Sequence, residues 1–519
     1  MGRKISRALF VRSGLYSLAV LPLLSASLAG PAAAADQDLI KKGEYLATVG
    51  DCKACHTAPG GQPFAGGLYM PTPVGKISTP NLTPDKETGI GSWTDAQFYD
   101  AFHRGIDNEG HYLYPVFPFP WYTKVTKDDV MAIKAYLGTL KPVHAPRKPL
   151  EMAFPFNVRT ALFGWRLAFF KEATFKPDPK ASAEVNRGAY IVEGLGHCGE
   201  CHNKANILGA SVWSGRLEGG QIDGWYAPNI TSDGREGVGK WKNEDIVTYL
   251  KTGMRPDGKT VALGPMHETI YDSTSHFTDD DLKAVAAYLK STAAKQSISD
   301  SESSAGQPTE HVDAAAYITH CASCHGQDGK GQAGVIPPLA GNGAVTSKGP
   351  ENVIRVVLGG LEASNGLAPM PAYGSTMSDQ EIADATNYVR SHWGNQAPAN
   401  AGPGEVAELR KKAQTMLAMN RPQPCAPYTD QTLDQAIKSA DVTSKLEKMD
   451  IANMLPTIDD ILPGIKKGAP SANPDNITNA LIATYCPIAK KLPDAKQSVA
   501  MGDFAVLTYG QAKKNGQPN

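Results

Sequence analysis

The stretch Cys52-Lys53-Ala54-Cys55-His56 decides how this chain folds, because the same pattern recurs twice further along the sequence. The other two copies are Cys198-Gly199-Glu200-Cys201-His202 and Cys321-Ala322-Ser323-Cys324-His325. Two thiols at this spacing can add to the two vinyl groups of one haem, and the adjacent histidine can then bind the iron. A zinc knuckle or a redox dithiol is the alternative for a single Cys-x-x-Cys, but neither needs a histidine after every copy. The pattern therefore indicates covalent haem.

The sequence thus predicts three covalently bound haem c groups. The predicted thioether positions are Cys52, Cys55, Cys198, Cys201, Cys321 and Cys324. The predicted proximal iron ligands are His56, His202 and His325.

The N-terminus predicts export from the cytoplasm. A basic start precedes a mostly apolar run over residues 15–28 and then an alanine-rich stretch, which is the pattern of a secretory signal peptide over residues 1–35, cleaved after Ala35. The alternative, a retained membrane anchor, would need a longer apolar run. Haem is attached to cysteines outside the cytoplasm in bacteria, so export agrees with the motifs and a periplasmic location is expected. The net charge of −1 gives no indication of a nucleic-acid partner.

Cys425 and Cys486 are the two of the eight cysteines that lie outside the three motifs. In an oxidising compartment two such cysteines most often pair. A disulfide between them is therefore expected.

The regions around the first two motifs repeat each other. Asn81-Leu82-Thr83 follows the first motif and Asn229-Ile230-Thr231 follows the second. Segments with apolar residues at helical spacing and acidic residues at their start end the three regions, at residues 127–137, 279–289 and 378–389. Each region therefore has the plan of a small class I cytochrome c, in which a long irregular loop wraps the cofactor.

The fold class expected is mainly α, with three class I cytochrome c-like domains in tandem and a C-terminal helical extension. The predicted boundaries are 1–35 for the signal peptide, 36–174, 184–292 and 309–395 for the three domains, and 400–519 for the extension. Linkers are expected over residues 175–183 and 291–308, the second of which is rich in Ser, Gln and Asp.

Methionines in the loops before the closing helices are candidates for the sixth iron ligand, because Met opposite His raises the potential of an electron-transfer haem. Met370, between two prolines, is the candidate in the third region, and Met266 after Pro265 is the candidate in the second. Met377 and Met254 are the weaker rivals in those two regions.

The first region carries Phe117 at the matching position, and a phenylalanine cannot bind iron. Three interpretations remain open. Met131 or Met152 reaches the iron, His103 or His111 binds it instead, or the sixth position is open or holds water.

The set of motifs resembles the triheme cytochrome c subunits of bacterial membrane-bound dehydrogenases, over roughly residues 36–395. The resemblance rests on the three motifs in order, the loop at residues 57–67, Asn81-Leu82-Thr83-Pro84-Asp85 and Phe154-Pro155-Phe156-Asn157-Val158-Arg159. Members of that family partner quinoprotein alcohol dehydrogenases or flavin-dependent gluconate, sorbitol and fructose dehydrogenases. The resemblance implies a non-catalytic electron-transfer subunit of a respiratory chain. Its electrons would come from a catalytic subunit containing flavin or PQQ and pass to ubiquinone at the periplasmic face of the inner membrane.

A membrane-associated protein needs a surface for that contact, and residues 156–170 are the best candidate, being aromatic and too short to span a bilayer. An inter-domain packing helix is the alternative for this stretch. Two alternatives also remain for the function as a whole. One is a soluble multihaem shuttle to a terminal oxidase or reductase, and the other is a multihaem enzyme acting at the first haem.

Overall fold

A computed structural model describes residues 31–72, 74–212, 214, 216–292, 313–420, 430–450 and 452–515. The described chain is mainly helical, which confirms the predicted class. The predicted signal peptide up to residue 30, residues 293–308 of the second predicted linker and Cys425 lie outside the described residues. We refer to residues 31–174, 184–292 and 313–395 as the first, second and third motif segments, and to residues 430–515 as the C-terminal bundle.

The helices and strands follow one another in the order of these segments. The first motif segment contains α1 (Pro31–Val49), α2 (Cys52–Cys55), α3 (Asp95–Arg104), α4 (Phe119–Tyr122), α5 (Lys127–Leu137) and α6 (Leu162–Phe169), with β1 (Tyr69–Thr72), β2 (Gly75–Ser78) and β3 (Glu151–Met152). The second contains α7 (Ala183–Tyr190), α8 (Gly199–His202), α9 (Asn243–Thr252), α10 (Pro265–Asp272) and α11 (Asp279–Ser291), with β4 (Gly220–Ile222) and β5 (Trp225–Ala227).

The third motif segment contains α12 (Ala315–His320), α13 (Ala322–His325), α14 (Glu351–Gly359) and α15 (Asp379–Ser391). The helices that follow are α16 (Pro403–Asn420), α17 (Gln431–Ser439), α18 (Val442–Glu447), α19 (Met454–Gly468), α20 (Pro474–Ala489) and α21 (Asp494–Lys514). Strands β1, β2 and β3 form an antiparallel sheet in that order, and β4 pairs with β5 as an antiparallel hairpin.

The same helix crossing organises the first two motif segments. A Cβ atom on Gly43 of α1 would lie 1.9 Å from the carbonyl oxygen of Ala132 in α5. A Cβ atom on Gly188 of α7 would lie 1.9 Å from the carbonyl oxygen of Ala284 in α11. Only glycine permits this approach, so the helix before each motif packs directly on the backbone of the helix that ends the segment.

The first and second motif segments share one continuous hydrophobic core. The buried side chains that form it include Leu46, Phe98, Ile133, Ile191, Leu195 and Leu282. Polar contacts join the same surfaces, because the Tyr45 hydroxyl donates to Asp281 Oδ2 at 2.6 Å and the Ser273 hydroxyl donates to the Val49 carbonyl at 3.3 Å. The two segments therefore pack as one body.

The third motif segment builds its core together with α16. Val406 and Leu409 of α16 are buried against Ile354, Ile382 and neighbouring side chains of α14 and α15. The β4–β5 hairpin of the second segment contacts α14, since the backbone of Tyr226 exchanges two hydrogen bonds with the Asn352 side chain at 2.9 and 3.0 Å. The C-terminal bundle has a separate core, centred on Ile458, Leu462, Leu481 and Phe504.

Candidate haem-binding sites

The proximal histidine of the first motif is buried and held in one orientation. His56 follows α2 directly, and its Nδ1 atom lies 2.8 Å from the Pro80 carbonyl oxygen. A carbonyl partner makes Nδ1 the protonated nitrogen and leaves the lone pair of Nε2 available for a metal. The ring is therefore oriented as an iron ligand requires.

The second motif repeats this arrangement. His202 is buried, and its Nδ1 atom lies 2.7 Å from the Pro228 carbonyl oxygen. Pro80 and Pro228 immediately precede the repeated Asn-x-Thr stretches, in which each asparagine Oδ1 accepts a hydrogen bond from the threonine N–H two residues later. These prolines are functional residues that the motif search missed, although the repeated Pro-Asn-x-Thr was a signal for them.

The third motif differs in its second contact. His325 lies at the end of α13, and its Nδ1 atom is buried without a hydrogen-bond partner among the described residues. Burial lowers the pKa of His325, and interaction with the Pro337 carbonyl partly counteracts this shift. A proline carbonyl at hydrogen-bond distance is thus established for the first two motif histidines.

The donor atoms of the three motifs fit a covalent haem. All six motif cysteines are free thiols, so each can form a thioether bond. Burial lowers the pKa of His56 to about 4 and also lowers the pKa of His202, which keeps both rings in the neutral form that binds iron. Among the described residues no three His, Cys, Asp or Glu side chains are grouped as a metal-ion site of their own.

The backbone places Phe117 and Met266 at equivalent positions. Ile106 forms an isolated antiparallel bridge with Tyr112 in the first segment, and Met254 forms the same bridge with Val261 in the second. Phe117 and Met266 each lie five residues beyond the second member of their bridge. The structure thus gives the same register as the sequence comparison.

The predicted sixth ligands of the second and third segments are both partly buried. Met266 is partly buried in the first turn of α10, after Pro265. Met370 is partly buried against the core of the third segment, and its N–H and C=O each form a 2.9 Å hydrogen bond with the backbone of Leu361. Of the two rivals, Met377 belongs to the interior of that core with 3% exposure, and Met254 takes part in the bridge to Val261.

The alternative ligands for the first haem are in different surroundings. The Met152 sulfur accepts a hydrogen bond from the Thr72 hydroxyl at 3.5 Å. His111 is exposed and lies 3.3 Å from Glu109. Met131 packs against the shared core, and His103 stacks on Tyr99 with a buried Nδ1 atom that lacks a partner in the described structure.

The ring of Phe117 belongs to an aromatic cluster in the first segment. It packs edge-on against Phe102 with ring centroids 5.7 Å apart and against Tyr122 at 5.3 Å. The position that corresponds to Met266 is therefore filled by an apolar, non-ligating side chain.

The first two motifs contact each other through α4, which follows Phe117, and α10, which begins at Pro265 and contains Met266. Trp121 of α4 donates from Nε1 to Glu200 Oε2 at 2.7 Å, and a Cβ atom on Gly199 would lie 2.2 Å from the Trp121 ring. In the reverse direction Asp272 of α10 lies 3.8 Å from the Lys53 ammonium. Each segment thus places its loop helix on the motif of the other, which brings the two predicted haem sites together.

This fold and these motifs define a c-type cytochrome, and comparisons with known proteins agree. The family model described as cytochrome c matches residues 40–141 and 314–393. The cytochrome c subunit of alcohol dehydrogenase (quinone) from Gluconacetobacter polyoxogenes is 39% identical over 418 residues, covering 76% of this chain and 89% of the relative. The gluconate 2-dehydrogenase cytochrome c subunit of Pantoea cypripedii is 37% identical over 419 residues, covering 76% and 95%. The fructose dehydrogenase cytochrome subunit of Gluconobacter japonicus is 38% identical over 413 residues, covering 73% and 84%. The chain belongs to the family of cytochrome c subunits of bacterial dehydrogenases.

Proposed function

We propose that this chain is the electron-transfer subunit of a membrane-bound dehydrogenase complex in the periplasm. Its three haem c groups receive electrons from a catalytic subunit that contains flavin or PQQ and pass them to ubiquinone. The proposal includes three class I cytochrome c-like units in tandem at residues 36–174, 184–292 and 309–395, followed by the helical extension at 400–519. The printed names of the relatives, which are subunits of alcohol, gluconate and fructose dehydrogenases, support a catalytic partner of this kind.

The reciprocal contact between the first two motifs is the observation that carries the proposal. Trp121 touches Gly199 and Glu200 within the second motif, and Asp272 faces Lys53 within the first. Haems bound at two motifs that adjoin in this way would allow an electron to pass between them within the protein.

The third haem is linked to this pair through the β4–β5 hairpin. Trp225 of the hairpin lies 5.3 Å from the Arg355 guanidinium, and Gln221 donates to Glu351, both on α14. The chain thereby offers a continuous protein path from the second motif segment to the third.

His/Met ligation of the second and third haems completes the proposal. His202 with Met266 and His325 with Met370 would supply the axial pairs. Methionine sulfur opposite histidine raises the reduction potential, which suits haems that accept electrons from a dehydrogenase.

An exposed apolar patch supports contact with the membrane. It is formed by Phe154, Phe163, Leu167, Ile207 and Leu208, with 81% exposure at Phe154, 77% at Leu167 and 95% at Ile207. Trp165 of α6 donates to the Leu208 carbonyl at 3.0 Å, which joins the two parts of the patch. Exposed large apolar side chains on neighbouring segments are typical of an interaction site, and an eight-residue helix can lie in a membrane interface.

The two arginines of the same stretch are engaged within the protein. Arg159 lies 2.8 Å from Asp107, and the Arg166 guanidinium stacks over the rings of Tyr112 and Phe170 at 4.7 and 4.8 Å. Burial of apolar side chains, rather than attraction of these arginines to lipid headgroups, would therefore hold this surface to the bilayer. Within the described residues no helix meets the length and hydropathy needed to cross a membrane.

Purification of the tagged chain from detergent-solubilised membranes tests the function. We expect a dehydrogenase subunit containing flavin or PQQ to co-purify, and the complex to reduce a ubiquinone analogue with the haems cycling. Release of the chain by salt alone, without a dehydrogenase, would instead support the soluble shuttle.

Haem stoichiometry and ligation are tested on the purified chain. Intact mass and haem staining should give three covalent haems, and a mass that fits two would contradict the proposal. Met370→Ala should remove the sulfur-to-iron charge-transfer band of one haem and lower its potential. Met377→Leu, a similar-sized change in the core beside it, should leave that band intact.

A further inference from the structure

The loop that carries Met370 is covered by the C-terminal bundle. The Lys513 ammonium of α21 donates to the carbonyl oxygens of Gly334 at 2.6 Å and Gly366 at 3.2 Å. Asn479 of α20 donates from Nδ2 to the Ala363 carbonyl at 3.2 Å. Helices α20 and α21 thus bind three carbonyls of the third motif segment, and two of these carbonyls lie in the loop at 361–371. Both helices belong to the separate hydrophobic core of the C-terminal bundle.

The closest approach falls beside the methionine itself. A Cβ atom on Gly502 of α21 would lie 2.6 Å from Cγ and 3.0 Å from Cβ of Pro371, the residue that follows Met370. Gly502 is buried, so the backbone of α21 lies directly on the proline ring. Any side chain at this position would push against Pro371.

The helices of the bundle are packed on one another next to this contact. Phe504 and Tyr509, which follow Gly502 along α21, are 0% and 1% exposed, and Phe504 packs on Tyr485 of α20 with ring centroids 4.4 Å apart. The Tyr509 hydroxyl lies 3.9 Å from the position of a Cβ atom on Gly366, at the turn of the Met370 loop. A packed helix pair therefore sets where this loop lies.

We propose that Gly502 and Lys513 are positioning residues for Met370, and that the C-terminal bundle holds the methionine sulfur on the iron of the third haem. The proposal rests on the assignment of Met370 as the sixth ligand of that haem. The iron–thioether bond is weak, so its persistence depends on a loop that is held in place before the bond forms. The bundle thereby keeps the third haem six-coordinate and its potential high.

Gly502→Ala tests this directly, with Gly510→Ala as its control. Both glycines lie on α21, but a Cβ atom on Gly510 would meet no atom within 4 Å. In the purified full-length holoprotein we expect Gly502→Ala to weaken the charge-transfer band of one haem, to lower its midpoint potential, and to let carbon monoxide bind one haem more than in the wild type. Gly510→Ala should match the wild type in all three readouts.

Lys513→Gln provides a second test that leaves the helix packing in place. Its control is Lys514→Gln, because Lys514 is exposed on the same helix. We expect Lys513→Gln to shift the potential of the same haem downward and Lys514→Gln to leave it unchanged.

Two different results would overturn the proposal, and they are distinguishable. If Gly502→Ala and Lys513→Gln keep the band, the potential and the resistance to carbon monoxide while Met370→Ala loses them, the ligand is right and the positioning role is wrong. If Met370→Ala also keeps the band, the ligand assignment fails and the positioning role fails with it.

Discussion

At the position that Met266 holds in the second segment, the first segment carries Phe117, whose ring packs between Phe102 and Tyr122. A phenyl ring has no lone pair for iron, so Phe117 itself cannot be the sixth ligand of the proposed first haem. Met131, Met152, His103 and His111 stay open as alternatives to an open site; of these, the Met152 sulfur accepts a hydrogen bond from Thr72 and His111 lies at the surface.

Carbon monoxide binding to the reduced protein tests whether the sixth position of the first haem is open. We expect the wild type to bind carbon monoxide at one haem, because a five-coordinate iron accepts it readily. Phe117→Met should abolish that binding and add a sulfur-to-iron charge-transfer band, while Val116→Met, one residue out of register, should do neither. A wild type in which all three haems are low-spin and inert to carbon monoxide would show that another side chain occupies the iron.

For single residues, the sequence was enough to predict candidate iron ligands but not how their side chains are oriented. The three motifs, and the presence of Phe117 where the second region has Met266, could be recognised in the sequence because they depend on local spacing. The contact from Pro80 to His56 joins residues 24 positions apart, and no local pattern states that a backbone carbonyl will meet an imidazole.

The helix that ends the second segment also fastens that segment to the first. Asp281 of α11 accepts two hydrogen bonds from Arg187 of α7, at 2.8 and 2.7 Å, and one from Tyr45 of α1 at 2.6 Å. Burial alone would raise the pKa of Asp281, but these hydrogen bonds outweigh it and lower the pKa below its ordinary value. A single carboxylate therefore joins three helices.

Replacing Asp281 by Asn should destabilise the protein and change its response to acid. The cost should be about 1 to 2 kcal/mol, below that of a fully buried ion pair, because the Arg187 side chain is 37% exposed. In the wild type the native carboxyl binds fewer protons than the unfolded one, so this stability is present above the ordinary pKa of 3.8 and is lost as pH falls below it through the lower native pKa.

Thermal unfolding between pH 3 and pH 7 measures this effect. The unfolding temperature of Asp281→Asn should fall less steeply towards acid pH than that of the wild type. Asp280→Asn is the control, since the Asp280 side chain is 97% exposed one residue away. Equal losses of stability in the two variants would contradict the role of Asp281.

The disulfide between Cys425 and Cys486, the second of which lies on α20, remains a prediction. Cys486 is disulfide-bonded, and Cys425, its predicted partner, lies outside the described residues. Closing a loop of this length stabilises by roughly 4 kcal/mol in the chain-entropy model. Alkylation of the denatured, unreduced protein should leave both cysteines unlabelled, and labelling of either one would contradict the pairing.

Sequence periodicity located the individual helices well but not their partners. The predicted closing helix at 127–137 coincides with α5, and that at 279–289 lies within α11. The shared core was not predictable in the same way, because Tyr45 and Asp281 are 236 residues apart and each fits an ordinary isolated helix. The packing of α16 against the third segment likewise leaves no local signal.

Across the whole molecule, the apolar patch at α6 and Leu208 is contributed by the first two motif segments together. Because those segments pack as one body, the patch has a fixed orientation relative to their haems. Binding through it would present the same side of the haem pair to the membrane in every molecule.

The double variant Phe163→Ser, Leu167→Ser should release the protein from membranes. Losing two apolar side chains from a bilayer interface weakens partitioning on the order of 100-fold. The fraction of the protein that salt releases from isolated membranes should rise accordingly. Ile318→Ser is the control and should not change that fraction, because Ile318 is as exposed as Phe163, at 58%, but lies in the third segment. Unchanged retention of the double variant would place the membrane contact elsewhere.

The shared core also has a consequence for biogenesis. Neither of the first two segments can close its interior until the other is in place, so loading of their cofactors is expected to be all-or-none. A chain carrying Cys52→Ala and Cys55→Ala should lose the neighbouring haem as well and be cleared by proteases, and haem staining of periplasmic extracts would reveal this. A stable chain carrying haem at the second and third motifs would show that the two segments mature independently.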